Sequence, residues 1–256
     1  MNYIYFHRYG GFANSLCIWQ FCYELAKINN MQVAMYKYHF PESKYLNFPN
    51  TVLLETEPHN YKKLDSNSIK HCNFKVDNSN VDIELTCGWG FSRDFEHTLT
   101  DRAVSRITFI DKNLNDSIVD FCKDKIGIHL RRGDHNHYAS LKASDEFYYN
   151  QCLLDKDSEF YLSTDATLSE CKFLDKFTVH KYAQFLDRRY DCVNCHSSGE
   201  PKSFKKNIYN INDDFIKIKC IDLFALSNCK KIIGCKSSTF SLIASYMGNN
   251  TELIGG

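Results

Sequence analysis

The chain has 256 residues with 31 Lys+Arg against 31 Asp+Glu, so no net charge is available to recruit a polyanion such as nucleic acid. A hydrophobic share of 43%, 24% charged residues, 4 Pro and 11 Gly exclude collagen-like and disordered classes and fit a compact globule. No apolar run approaches the roughly 18 residues of a membrane span, and the N-terminus lacks the basic start and apolar stretch of a signal peptide. These features predict a cytoplasmic protein with no membrane span. Twelve cysteines are scattered through the chain, and the apolar runs around Cys17, Cys22, Cys87, Cys122, Cys229 and Cys235 predict buried free thiols.

In chain order, Asn2–His7 reads as a strand, Gly10-Gly11 as a turn, Asn14–Lys27 as a helix and Met31–Tyr36 as the next strand. Residues 37–80 are polar and irregular apart from an apolar piece at Thr51–Leu54, and Val81–Thr86 alternates as a half-buried strand does. Beyond Leu114 the pattern sharpens into a helix to Cys122, a strand over Lys125–Leu130, a polar loop, a helix over Asp145–Leu154 and a strand over Glu159–Ser163. Leu168–Phe177 is predicted helical, Phe177–Val179 a short strand and Arg188–Asn207 a polar loop. An amphipathic helix over Asp213–Ser227, a strand over Lys231–Cys235 and a helix over Ser238–Met247, stopped at Gly248, complete the chain. The alternation predicts an α/β fold with parallel sheets, whose ligands sit at the carboxyl ends of the strands. A glycine- or serine-marked turn at a strand end in each half points to two lobes, drawn at residues 1–120 and 121–256.

The sharpest local pattern is Gly127-Ile-His-Leu-Arg-Arg-Gly-Asp134, a buried strand that runs into adjacent arginines at its carboxyl end. Side chains alternate across a strand, so His129 and Arg131 share one face while Arg132 takes the other. Arg131 offers a planar donor fork suited to a diphosphate; Arg132 is placed to pair with Asp134 or another carboxylate and hold the loop. Cys235-Lys-Ser-Ser-Thr-Phe-Ser241 joins a strand to a helix, where hydroxyls and unpaired backbone amides suit phosphate oxygens, although plain N-capping by Ser237 or Ser238 explains the same residues. Asp222 puts a carboxylate on the preceding helix, able to accept hydrogen bonds from a base such as guanine, or else lying on a solvated face. Tyr9-Gly-Gly-Phe-Ala-Asn14 and Leu162-Ser-Thr-Asp165 end strands at the same expected ligand edge.

Taken together, His129-x-Arg131-Arg132-x-Asp134, Leu162-Ser-Thr-Asp165 and the pair Asp222-Leu-Phe-Ala-Leu-Ser227 and Gly234-Cys-Lys-Ser-Ser-Thr-Phe-Ser241 resemble the three motifs of the alpha-1,2-, alpha-1,6- and protein O-fucosyltransferase superfamily, in order and spacing. The opening Gly11-Phe-Ala-Asn14 is similar to that family's N-terminal loop. The resemblance implies a GT-B-like architecture of two Rossmann-like lobes, the first on the acceptor side and the second holding the donor. It implies inverting, metal-independent transfer of fucose from GDP-fucose to a hydroxyl of a glycan or glycoconjugate, with no cofactor. By the same resemblance Arg131 binds the β-phosphate and stabilises departing GDP, His129 and Asp222 contact guanosine, and Ser237, Ser238 and Thr239 form the phosphate turn. Arg132 supports the loop, while Gly11, Asn14 and Asp165 complete the donor set.

Two departures stand out. A glutamate that some members carry after the arginine motif as base is replaced by the loop His135-Asn-His-Tyr-Ala-Ser140, leaving Asp134 and His135 as the candidates for acid–base work, with His137 beside them. The second motif's double carboxylate is reduced to Asp165-Ala166. Rival readings are a transferase for another nucleotide sugar and a catalytically silent nucleotide- or glycan-binding protein of the same fold. Metal binding by Cys192-Val-Asn-Cys-His196 with His180, by Asp155-Lys-Asp157 or by His135-x-His137 lacks a full ligand set. Trp19, Tyr36, Tyr38 and Trp89 are either core residues or platforms for sugar rings.

Overall fold

Two five-stranded parallel sheets, each in its own compact unit, organise the computed structural model of the protein. It describes residues 2–6, 11–57, 61–65, 75–76, 82–86, 102–132, 143–164, 168–180, 213–235, 237–248 and 251–256.

The first unit, Met1–Ile110, begins with strand β1 (Tyr3–Phe6), helix α1 (Phe12–Ile28) and strand β2 (Gln32–Tyr36), followed by β3 (Leu46–Asn47), β4 (Thr51–Leu54), β5 (Tyr61–Asp65), β6 (Asp82–Thr86) and β7 (Thr108–Phe109). The sheet order is β4-β2-β1-β6-β5, every pairing parallel, while β3 and β7 form a separate antiparallel pair. Helix α1 is buried over nearly all its length, so its polar residues need partners inside. Gln20 supplies them: its Oε1 accepts from the Val104 amide at 2.7 Å and its Nε2 donates to Glu24 at 3.2 Å. Trp19 is fully buried and donates from Nε1 to Thr51 Oγ1 at 2.9 Å, which makes it a core residue and not a sugar platform.

The second unit, Asp111–Gly256, contains α2 (Lys112–Cys122), β8 (Ile126–Leu130), α3 (Asp145–Leu154), β9 (Phe160–Thr164), a 3-10 turn over Leu168–Leu174, β10 (Val179–His180), α4 (Asp213–Ser227), β11 (Lys231–Gly234), α5 (Thr239–Met247) and β12 (Glu252–Gly255). Its strand order is β10-β9-β8-β11-β12, again all parallel, with β8 in the centre. Side-chain caps start two helices: Asp111 accepts from the Leu114 amide at 3.2 Å and Ser144 from the Phe147 amide at 3.1 Å. On one face of the sheet Ile126, Ile128 and Leu130 pack with Tyr148 and Cys152 of α3 and with Cys171 and Leu174. On the other face a Cβ at Gly127 meets Leu226 Cδ2 at 2.8 Å, so the bare glycine lets α4 lie close against β8.

The α/β class with parallel sheets is as the sequence predicts. Differences lie in short or polar pieces. Leu168–Leu174 winds as a 3-10 turn in place of an α-helix, and the strand expected at Phe177–Val179 is the pair Val179–His180. Tyr61–Asp65 forms an edge strand despite its polar composition, and Glu252–Gly255 adds another edge after the expected stop at Gly248. Val81 and His7 lie outside the described residues, as does the 188–207 loop. Among the described residues no helix is long and apolar enough to cross a membrane.

Eight cysteines are described, all free and buried, including the expected Cys17, Cys22, Cys122, Cys229 and Cys235; Cys87 lies outside the described residues. Burial, helped by Asp155, pushes the Cys152 thiol up to about 12. A hydrogen bond with Cys122, together with burial, holds Cys229 well above its ordinary value. At about 12 the Cys152 thiol is roughly one part in ten thousand ionised at pH 8, and the Cys229 thiol is held in the same direction. Iodoacetamide at pH 8 is therefore expected to leave Cys152 and Cys229 unmodified in the folded chain and to alkylate both in urea, as read by peptide mass mapping. Labelling of either at the unfolded rate under native conditions would show that the helices do not stay on the sheet.

Candidate functional site

The carboxyl edge of the second sheet gathers most of the expected residues, and β8 sets their geometry. His129 is buried on the side covered by α4 and α5, and its Nδ1 is hydrogen-bonded to Ser241 Oγ at 2.7 Å. Phe240 lies against the imidazole with ring centroids 4.9 Å apart. Ser241 reaches this position because α5 packs tightly on β11: a Cβ at Gly234 sits 2.6 Å from Ser241 Oγ. The end of β8 is pinned at two carbonyls. Tyr148 Oη donates to the His129 carbonyl at 2.8 Å, and Thr164 Oγ1 donates to the Leu130 carbonyl at 2.6 Å.

Asp222 faces the sheet, which excludes the solvated-face reading. Its Oδ1 accepts from Tyr161 Oη at 2.5 Å and its Oδ2 from Ser163 Oγ at 3.1 Å. Ser163 is the register partner of His129, so the imidazole and the carboxylate's support stand side by side on adjacent strands. A carboxylate held in this way is acceptor-only and oriented.

The two arginines diverge as strand alternation requires. Arg131 leaves the end of β8 half-buried. Arg132 is buried on the α3 side, where Nη1 donates to the Ala143 carbonyl at 2.9 Å, Nη2 pairs with Asp145 and the guanidinium lies 5.6 Å from the Tyr148 ring centroid. Its carboxylate partner is thus the first residue of α3; Asp134 lies outside the described residues.

At the start of α5 the capping explanation fails for Ser238. Ser238 is the N-cap residue, yet its side chain makes no cap hydrogen bond. Its hydroxyl is buried, with the residue 1% exposed, and has no hydrogen-bond partner among the described residues. The neighbouring Ser237 Oγ lies 2.9 Å from Cys235 Sγ, and Thr239 opens the helix half-buried. An orphaned hydroxyl costs free energy unless a ligand satisfies it, and here it stands at the positive end of a helix dipole. The turn suits an anionic oxygen.

Gly11 and Asn14 belong to the first unit, Gly11 as the N-cap of α1 and Asn14 half-buried in its first turn. His135, His137, Asp165, Trp89 and Cys192 to His196 lie outside the described residues, as does Gly10. Asp155 forms an ion pair with Lys231 at 2.6 Å, and His180 Nε2 lies 3.3 Å from Glu159, at the end of the sheet away from the arginines. Tyr36 is half-buried with its ring 5.3 Å from Tyr38, which is 49% exposed. Sequence reasoning missed Tyr161, Tyr148 and Ser241. The available signal was the alternation of Tyr161 and Ser163, two hydroxyls on one face of β9.

No protein-family model matches the sequence, and neither does any curated protein. Among solved structures the chain is similar to NodZ alpha-1,6-fucosyltransferase soaked with GDP-fucose, with a TM-score of 0.53 at 12% identity over 96% of this chain and 92% of that one; NodZ comes from Bradyrhizobium. It is also similar to POFUT1 in complex with GDP-fucose, with a TM-score of 0.55 at 9% identity over 99% and 97% of the two chains. POFUT1 in complex with GDP gives 0.56 at 9% identity over 99% and 98%. These likenesses establish the fold, the GT-B-like α/β class that the motifs imply.

Arg132 and Asp145 form one ion pair with unequal stakes, since the Arg132 side chain is 8% exposed and that of Asp145 61%. Arg132→Met leaves the Ala143 carbonyl without its donor and is expected to cost about 1–3 kcal/mol in urea unfolding. Asp145→Asn keeps an oxygen acceptor for Nη2 and is expected to cost less, about 0.5–1.5 kcal/mol. Equal losses would show that the ion pair, and not the buried carbonyl, carries the arginine's contribution.

Proposed function

We propose that the chain is a glycosyltransferase that moves fucose from GDP-fucose to a hydroxyl of a glycan or glycoconjugate, with inversion at the anomeric carbon and without a metal ion or cofactor. The observation that carries this reading is the buried hydroxyl of Ser238 at the N-terminus of α5, without a partner among the described residues, near the sheet edge that gathers Arg131 and His129 of β8 and Asp222 of α4. A diphosphate satisfies that hydroxyl, the helix N-terminus and an arginine fork together. The fold shared with NodZ soaked with GDP-fucose and with POFUT1 bound to GDP-fucose supports the same donor.

In the proposed division of labour residues 121–256 hold the donor and residues 1–120 the acceptor. His129 and Asp222 take the guanosine, Ser237, Ser238 and Thr239 the phosphates, and Gly11, Asn14 and Asp165 complete the donor contacts. In the transfer the acceptor oxygen bonds to the anomeric carbon as the bond from that carbon to the phosphate oxygen breaks, and the electron pair leaves with GDP. Arg131 and the helix N-terminus stabilise the negative charge that develops there. The acceptor's proton passes to a base in the loop after β8, for which His135 and Asp134 are the candidates. Arg132 supports that loop from its base.

Two measurements test the reading. GDP and GDP-fucose at a hundredfold excess over the dissociation constant are expected to stabilise the chain by about 2.7 kcal/mol in thermal shift, unchanged by EDTA, with no response to UDP or CMP. A preference for UDP, or a response only with metal, overturns the donor assignment. Arg131→Ala is expected to lower transfer by about 100-fold or more with the fold retained. Ser238→Ala is expected to leave the unliganded chain as stable or more so, because it removes an orphaned polar group, while weakening GDP by about tenfold. Destabilisation with unchanged affinity would show a structural hydroxyl instead.

A further inference from the structure

Asp222 does not sit alone on α4. Leu226, one turn later on the same helix face, lies against the bare Gly127, and this close approach brings Asp222 over β9. There two hydroxyls from alternate residues of one strand hold the carboxylate, one on each oxygen: Tyr161 Oη at 2.5 Å on Oδ1 and Ser163 Oγ at 3.1 Å on Oδ2. Tyr161 is fully buried and its ring is set edge-on to Phe121, so its hydroxyl is a fixed point. Ser163 is buried as well. A hydroxyl that donates to a carboxylate makes a charge-assisted bond. Two donors on separate oxygens fix both the position of the carboxylate and the rotation of its plane, which one donor does not.

Rotation matters because of what the carboxylate reads. The Watson–Crick edge of guanine presents two parallel donors, N1–H and an exocyclic amine, and a carboxylate meets both only when its plane is aligned with the base. Hypoxanthine keeps N1–H and lacks the amine; adenine turns an acceptor at N1 toward the carboxylate. We propose that Tyr161 and Ser163 are positioning residues that lock the plane of Asp222 and so set the selectivity of this site for guanine over other purines. The inference rests on the GDP reading above and adds residues that act on the nucleotide only through Asp222.

The test compares GDP with inosine diphosphate by calorimetry on the full chain, in wild type, Tyr161→Phe, Ser163→Ala and the double variant, with urea unfolding of each. Wild type is expected to bind GDP at least tenfold more tightly than inosine diphosphate, through the bond to the amine. Each single variant is expected to narrow that ratio and the double variant to bring it within about twofold, chiefly by losing GDP affinity. A merely structural role weakens both nucleotides in parallel and keeps the ratio, and that outcome overturns the inference. Should Tyr161→Phe fail to fold, Ser163→Ala decides the matter by the same ratio. A wild-type chain that binds GDP and inosine diphosphate equally sinks the inference while leaving the GDP reading standing. A wild-type chain that binds neither removes the GDP reading, and the inference with it.

Discussion

Strand β8 is covered by helices on both faces, and that constraint governs the chemistry at its end. A parallel strand in this position is apolar by necessity, and any polar side chain in it must be matched inside the protein. His129 is matched by Ser241, which reaches it only because Gly234 lets α5 approach β11. The carbonyls of His129 and Leu130 are taken by the Tyr148 and Thr164 hydroxyls. With its last residues held in this way, the strand delivers Arg131 and Arg132 to opposite sides of the sheet edge.

Against this background of satisfied groups, an exception at the same sheet edge carries meaning. At the same edge Arg132 has the Ala143 carbonyl and Asp145, and Asp222 has Tyr161 and Ser163. Ser238, more deeply buried than either, has none among the described residues. A protein interior that satisfies its polar groups by default leaves an orphan where something else binds, or where the cost is offset elsewhere. The helix that begins at Thr239 makes the first alternative the economical one, because its dipole favours the anionic oxygen that the hydroxyl would meet.

What the sequence disclosed follows the strength of each local signal. The buried strand over 126–130, the helices over 112–122, 145–154 and 213–227 and the turn at 237–239 were legible because long apolar periodicity and abrupt polar punctuation coincide there. Tyr61–Asp65 was not, since an edge strand owes its structure to the neighbour it pairs with and not to its own composition. Leu168–Leu174 has helical spacing but winds more tightly, as short connecting turns do. In the site the residue types were readable and the partnerships were not. Ser163 stood in a recognised motif, yet its bond to Asp222, 59 residues away along the chain, depends on how closely α4 approaches the sheet. The Arg132 partner likewise came from Asp145 at the start of α3, 13 residues further along the chain.

Identities of 9–12% over nearly whole chains show how little of the sequence this fold requires. A parallel sheet fixes the places where strands end and helices begin through backbone pairing and apolar volume, and many side-chain sets satisfy both. Chemistry is less permissive. A charge that develops on a leaving diphosphate must meet donors already in position, and those come from the few residues that strand ends and helix starts present. The fold therefore locates the site without deciding its activity. Under the proposed function that decision rests on Arg131, Ser238 and Asp222, and on the hydroxyls of Tyr161 and Ser163 that hold the last of these in place.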